Sequence, residues 1–282
     1  MKPVFAVIAN VLPTLLFCCA VAVCLCPTMS EATSFVGLID HRNGRLVMAT
    51  DGQDIDLTTI GGNAVRRTAV RQCKMISAPD CAVAIVGLHT EDSFHWDAFA
   101  AAKQACATKG SIRDKADAFL KISRKAIAAI VAGHRNDLPQ WLASVRGNRF
   151  QQADLVDAIF GGSDNGHLTY LVRGFLVKPD GEVVDQRAEV SDTSDSWLPS
   201  VIAGSDTRIS RYAKAHRMWK NLDYADAARL FVRQEIKGNP AAVGPPISVM
   251  EVRRDKASVA GSDGTQVEWI EQGACAPQSA TP

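Results

Sequence analysis

At 282 residues, with 47% hydrophobic side chains, the chain has the composition of a folded globular protein and not of a disordered or collagen-like polymer. Its 31 basic and 30 acidic residues give a formal net charge of +1, which excludes the overall basic surplus of a nucleic-acid binder.

The first segment reads as an export signal. Lys2 supplies a positive start, Leu15 to Cys26 is an unbroken apolar run, and Pro27 ends it. Ser30 and Ala32 place small residues where a signal peptidase inspects the chain, so residues 1–32 are expected to be removed and the rest to become periplasmic or secreted. Retention as an anchor is the alternative. The stretch from Phe5 is long enough to span, but Asn10, Pro13 and Thr14 interrupt it, and a spanning helix needs about 20 mostly apolar residues. Membrane attachment is therefore expected only through an uncleaved leader. Val23 before Cys24 is too large for a lipoprotein site. A cut after Ala32 makes Thr33 the first residue.

The remaining length, about 250 residues, is enough to bury the core of one α/β domain. Cys18, Cys19, Cys24 and Cys26 leave with the signal, whereas Cys73, Cys81, Cys106 and Cys275 stay in a compartment that permits disulfides. Four cysteines allow three connectivities. Cys73 and Cys81 flank one hairpin at a spacing unlike a zinc motif, which favours a structural bond or simple burial.

Beyond Thr33, Phe35–Ile39 and Leu46–Ala49 flank Arg42-Asn43-Gly44, and Asn-Gly signals a hairpin. A turn centred on Asn43 sets Asp51 across from Phe35 and close to Thr33. Lys74–Ser77 and Cys81–Val86 form a second hairpin around Ala78-Pro79-Asp80, with Lys74 inside its first strand. Thr90 with Glu91 and Asp92 reads as a helix start. A second helix opens on the capping box Ser111–Asp114, and Ile112, Ala116, Phe119, Ser123, Ile127 and Ile130 carry it to about Gly133. Two long helices are thus expected over one sheet face. Asn136 to Gln152, with Pro139, Trp141 and Gly147, has no clear period and reads as an inserted loop. Strands resume at Leu155–Phe160 and His167–Val177, followed by the turn Lys178-Pro179-Asp180-Gly181. Ser205-Asp206 and Asp223 cap two further helices, the second ending near Gly238, and Ile247–Val252 and Val267–Ile270 restore strand character. This order predicts an α+β fold in which two antiparallel sheets lie between helix layers.

Thr33-Ser34-Phe35-Val36-Gly37, Met48-Ala49-Thr50-Asp51, Lys74-Met75-Ile76, Val86-Gly87 and Ala203-Gly204-Ser205-Asp206 resemble, in order and at nearly matching spacing, the successive motifs of proteasome β-type subunits. The resemblance covers almost the whole mature chain. It implies the four-layer αββα sandwich of N-terminal nucleophile (Ntn) hydrolases over residues 33–272, with residues 273–282 as a tail. It also implies roles: Thr33 as nucleophile, Asp51 and Lys74 as the charged pair beside it, Gly87 as the backbone donor to the oxyanion, and Ser205 as a supporting polar group. By alignment Gln53, Asp54, Ile85 and His89 line the substrate cleft, Ile85 favouring a medium apolar side chain. The chemistry is coherent, because an α-amine titrates near 7.7–8.0 and its neutral form can accept the hydroxyl proton of its own threonine.

The sequence departs from the family at one place. A late aspartate and a serine three residues on, before a Gly-rich turn, have as their counterpart Asn239-Pro240-Ala241-Ala242-Val243-Gly244-Pro245-Pro246, so the supporting groups are missing. Elsewhere, His89, Glu91 and His95 are close in sequence, with Glu91 and His95 on one expected helix face, but a capped helix with a surface histidine accounts for them. Asp192-Thr193-Ser194-Asp195-Ser196 lacks the glycine and spacing of a calcium loop. The expected activity is that of an exported threonine amidohydrolase cutting peptides or small amides, needing no metal or cofactor and assembling as a homo-oligomer. A catalytically silent scaffold or binding protein is the competing expectation.

Overall fold

The Asn43-Gly44 pair reverses the chain as expected. The computed structural model describes residues 33–60, 64–146, 153–192, 200–204, 207–240, 243–254 and 265–276. In it, β1 (Ser34–Asp40) returns as β2 (Arg45–Thr50), with Gly44 at φ +59°, a value glycine adopts without steric cost. Asp40 accepts hydrogen bonds from the Asn43 backbone N–H at 3.2 Å and the side-chain amide at 2.8 Å. The turn sets Phe35 opposite Thr50. This is one position from the expected register, so Asp51 donates its backbone N–H to Ser34 and does not sit across from Phe35.

Two five-stranded antiparallel sheets follow, and the fold is mixed α+β. One runs β12 (Ser200–Gly204), β1, β2, β13 (Ser248–Arg254), β14 (Thr265–Glu271). The other runs β11 (Val183–Ser191), β10 (His167–Val177), β9 (Ala153–Asp164), β6 (Cys81–Gly87), β5 (Met75–Ala78). Alternation along the strands divides the core. Phe35, Leu46, Met48, Ala84, Ile159, Tyr170 and Met250, drawn from both sheets, form one buried cluster. The opposite sides of the same strands supply two others, with Val36, Leu38, Val47 and Val249 joining Ile209 and Phe231, and Val83, Ile85, Phe160 and Leu171 joining Ala102, Phe119 and Ile127. Each such large side chain contributes about 1.5–3 kcal/mol of burial. Tyr170 crosses between the sheets, its hydroxyl donating toward the carbonyls of Val47 at 2.8 Å and Leu38 at 3.2 Å.

The helices hold two corrections. Thr90–Glu91 (β7) pairs with Trp96–Asp97 (β8) around a 3-10 turn at Asp92–Phe94, where His95 takes φ 51°. The first helix, α1 (Ala98–Cys106), therefore starts later than expected, with Asp97 accepting from the N–H groups of Phe99 and Ala100, and it is short. Asp97 outcompetes Thr90 because its carboxylate reaches two orphan donors. Helix α2 (Ile112–Gly133) keeps the expected bounds and the Ser111–Asp114 capping box. The second correction is α3 (Leu138–Arg146), within the stretch expected to be a loop. Leu138 and Trp141 bury its inner face, Trp141 stacks on His134 at 4.4 Å, and Pro139 is tolerated in the first turn, where its missing N–H costs nothing. A hairpin of β3 (Gln53–Ile60) and β4 (Ala64–Arg71) was not anticipated.

Helices α4 (Thr207–Ala215) and α5 (Tyr224–Gly238) complete the order, with Asp223 accepting the Ala225 N–H as the expected cap of α5. At the turn end of the first hairpin, buried Arg45 contacts Asp40 at 3.0 Å, Glu251 at 2.9 Å and Asp223. Burial opposes its charge, but the three carboxylates outweigh it and raise the guanidinium above its ordinary value. Cys81 pairs with Cys106, joining β6 to the end of α1, and Cys73 pairs with Cys275. The two cysteines flanking the second hairpin are thus not bonded to each other.

Candidate active site

The first hairpin delivers the start of β1 and the end of β2 to one place, and a buried carboxylate occupies it. Asp51 is fully buried. Its Oδ1 accepts from the Ser34 N–H at 2.8 Å and from Lys74 Nζ at 3.1 Å. Its Oδ2 accepts from Lys74 Nζ at 3.2 Å, the Gln53 N–H at 3.2 Å and the Gly244 N–H at 3.4 Å. Burial is the largest influence and pushes the carboxyl above its ordinary value, while the Lys74 ammonium and the backbone donors pull it back. Lys74, 3% exposed, also donates to the Gln53 carbonyl. It immediately precedes β5 and continues that ladder, its carbonyl accepting the Ile85 N–H at 3.0 Å.

Thr33 is buried and precedes Ser34, which pairs with Gly204. A Cβ on Gly204, which has φ +77°, would lie 2.1 Å from the Thr33 carbonyl and 3.3 Å from Val86 Cγ1, so only glycine lets β12, β1 and β6 converge here. Gly87, next after Val86, takes φ +91°. Thr33, Asp51, Lys74 and the Val86–Gly87 end of β6 are thereby gathered from four separate segments. Ser205 lies outside the described residues, directly after the positioned Gly204. The hydroxyls of Ser34 and Thr50 are buried without hydrogen-bond partners among the described residues, a cost of about 1–3 kcal/mol each set beside the carboxylate.

The residues expected to line a cleft fall into two groups. The Gln53 side chain covers Gly244, where an added Cβ would meet its Oε1, and Asp54 Oδ2 pairs with His89 Nε2 at 2.7 Å. The His89 ring lies 6.0 Å from Phe99. Ile85, 2% exposed, packs into the core with α1 and α2. His89 is turned toward Asp54, Glu91 lies in β7 and His95 follows the 3-10 turn; among the described residues no group of three His, Cys, Asp or Glu is placed to hold a metal ion.

Two supports had no clear signal in the sequence. Gly244, in the stretch that departs from the family pattern, donates to Asp51 and accepts the Gly52 N–H at 3.0 Å. Backbone groups thus stand beside the carboxylate where side chains were missed. The other support is the 3-10 turn Gly273–Cys275 in the expected tail. Its Ala274 Cβ lies 2.7 Å from where a Gly52 Cβ would sit. Ser248 Oγ accepts the Ala274 N–H at 3.0 Å and donates to the Gln272 carbonyl at 2.9 Å, and Cys275 is bonded to Cys73, the neighbour of Lys74. The presence of Cys275 hinted at such a clamp, but four cysteines do not disclose their pairing.

No protein-family model matches the chain, and no curated protein matches it in sequence. Among the described residues no helix is long and apolar enough to cross a membrane.

Proposed function

We propose that residues from Thr33 onward form an exported threonine amidohydrolase of the proteasome-like Ntn type, with cleavage after Ala32 creating the catalytic amine. The three core clusters, one between the sheets and one beneath each helix pair, support a helix–sheet–sheet–helix layering of that kind. The observation that carries the reading is the buried Asp51–Lys74 pair, whose carboxylate holds the Ser34 N–H one residue from Thr33. Placing two charges in the interior is costly unless they are fully hydrogen-bonded, and here both are set beside the residue whose α-amine cleavage would release.

In this mechanism the neutral Thr33 amine accepts the hydroxyl proton as Oγ1 attacks the scissile carbonyl. The Lys74 cation favours the neutral amine, and Asp51 holds Lys74 and balances its charge. The Gly87 N–H faces the developing oxyanion, with Ser205 supporting the proton network. Collapse expels the substrate's amine, which takes the proton back from the Thr33 ammonium, leaving an ester on Thr33; water then adds with the Thr33 amine as base, releases the acid and regenerates the hydroxyl. Gln53, Asp54 and His89 are the proposed substrate contacts, whereas Ile85, expected among them, is buried in the core with α1 and α2; peptides or small amides are the proposed substrates, and a homo-oligomer the working form. No metal or cofactor takes part.

Intact mass of the purified mature protein is the test. A species beginning at Thr33 that gains the mass of an electrophilic peptide warhead, with a Thr33→Ala protein that does not, is the expected result. Any other first residue sinks the mechanism. A second reading, a silent scaffold that never exposes Thr33, is favoured by the Asn239–Pro246 departure; it predicts a first residue other than Thr33 and no labelling.

A further inference from the structure

The near-neutral chain is unevenly charged. Residues 207–240 contain eight Arg and Lys against three Asp and Glu, and all three acids are engaged: Asp223 by Arg45, Asp226 by Arg229 at 2.6 Å, and Glu235, 2% exposed, by the Arg208 N–H at 3.0 Å. Arg208, Arg211 and Lys214 recur every third residue on α4, opposite buried Ile209 and Ala213, and are exposed. On α5, Arg233 and Lys237 are exposed on the side away from Phe231 and Val232. Among the described residues none of these five cations has a carboxylate partner. The stem of Arg208 crosses the end of α5, where a Cβ on Gly238 would lie 1.9 Å from its Cδ, so the two helices present one basic surface.

An apolar tip completes it. The 3-10 turn Arg217–Asn221 between the helices buries Trp219, and Met218 is left 75% exposed, with Leu222 at 42%. Cations around exposed aliphatic side chains match an interfacial membrane contact, in which headgroup attraction and shallow apolar insertion reinforce each other. A single-stranded nucleic acid would instead want exposed aromatic rings for stacking. Here Trp219 is buried, and Tyr212 and Tyr224 are half-buried against Phe231 and Trp219.

We infer that the outer surface of α4, the 217–221 turn and α5 docks on an anionic lipid bilayer, with the cations on headgroup phosphates and Met218 and Leu222 entering the interface. This surface does not depend on Thr33 chemistry. The test is co-sedimentation of the full chain with neutral phosphatidylcholine vesicles and with vesicles containing anionic phosphatidylglycerol. The apolar leader contributes equally to wild type and variants, so the anionic-over-neutral preference isolates this surface. Wild type should prefer anionic vesicles and lose that preference in high salt, by screening of exposed charge. Each cation removed should lower the preference about fivefold, so R211E/K214E/R233E should abolish it with an unchanged circular dichroism spectrum. Met218→Ser, which leaves the charge unchanged, should weaken vesicle binding several-fold while leaving retention on heparin unchanged. Equal binding to both vesicle types, an unaffected triple variant, or binding to heparin or RNA without binding to vesicles would overturn the proposal.

Discussion

The two ends of the β1–β2 hairpin each bury a charge cluster, and they are built differently. At the turn end one guanidinium meets three carboxylates, Asp40, Glu251 and the half-exposed Asp223, and so ties β13 and the cap of α5 to the first hairpin. A guanidinium stays charged at any working pH and its planar fork fixes geometry, which suits a clasp. At the open end one carboxylate meets one ammonium and a ring of backbone N–H groups beside Thr33. The buried carboxyl is raised above its ordinary value by burial, and a group that can change charge suits chemistry. Similar burial thus serves architecture at one end and, in the proposed function, reactivity at the other.

The sharpest way to break this contrast is to remove each cation. Lys74→Met should lower amidase turnover by about 10²–10⁴-fold, the range for loss of acid–base machinery, measured as warhead labelling rate on folded protein. Arg45→Met should leave labelling within about twofold yet cost about 3–5 kcal/mol in urea unfolding, because Asp40 remains buried without its cation and Glu251 keeps only the half-exposed Arg253 at 2.5 Å. If both variants lose only stability, the open end is a second clasp. Next in size is the Cys73–Cys275 bond, whose loss in Cys73→Ser should cost about 2–4 kcal/mol and slow labelling, since it anchors the segment packed on Gly52. Cys81→Ser should cost stability without slowing labelling.

Glycines at the two ends sharpen the contrast further. Gly52→Ala drives a Cβ to within 2.3 Å of the Pro246 carbonyl, so about 1–3 kcal/mol of overpacking should come with slower labelling. At Gly44 nothing lies within 4 Å, and only the positive φ resists a side chain; Gly44→Ala should cost about 1–2 kcal/mol and leave labelling intact. The smallest effect is acid dependence, which should have opposite signs. Asp223 is held below its ordinary value: burial opposes this, but Arg45 and the Ala225 and Asp226 N–H groups prevail. Its contribution is present above its unfolded-state value and lost as pH falls through the lowered one. Asp51 is raised by burial, so its contribution is present at low pH and lost as pH rises through the raised value. Stability measured from pH 2 to 7 should therefore show less acid loss in Asp223→Asn, by at most about 1 kcal/mol for so exposed a group, and less gain on acidification in Asp51→Asn.

Much of the fold was legible where local chemistry decides it. The Asn43-Gly44 turn, the Ser111 capping box and the Asp223 cap each depend on a few adjacent residues. Failures came where two local signals competed: Thr90 lost the helix start to Asp97, and Pro139 masked a helix it merely opens. The candidate site was legible as residue types, Thr33, Asp51 and Lys74, through the resemblance in motif order, to which the hairpin turn added the nearness of Asp51 to Thr33 and the need of an inward lysine for a partner. Its backbone donors were not, since Gly244 and Gly52 act through N–H groups that every residue but proline carries.

By itself the sequence determined the hairpin turn, the periodic helix of residues 112–133, and the short list of ionisable groups able to form a buried pair. Tertiary structure alone decided the one-residue register that puts Asp51 on Ser34, the pairing of Cys73 with Cys275, the approach of Gly244 to the carboxylate, and the union of the α4 and α5 cations into one face. The reason is range. Turns and caps are settled within about four residues, whereas these contacts join segments up to 202 residues apart, and only a packed core can hold them together against the entropy of closing such loops.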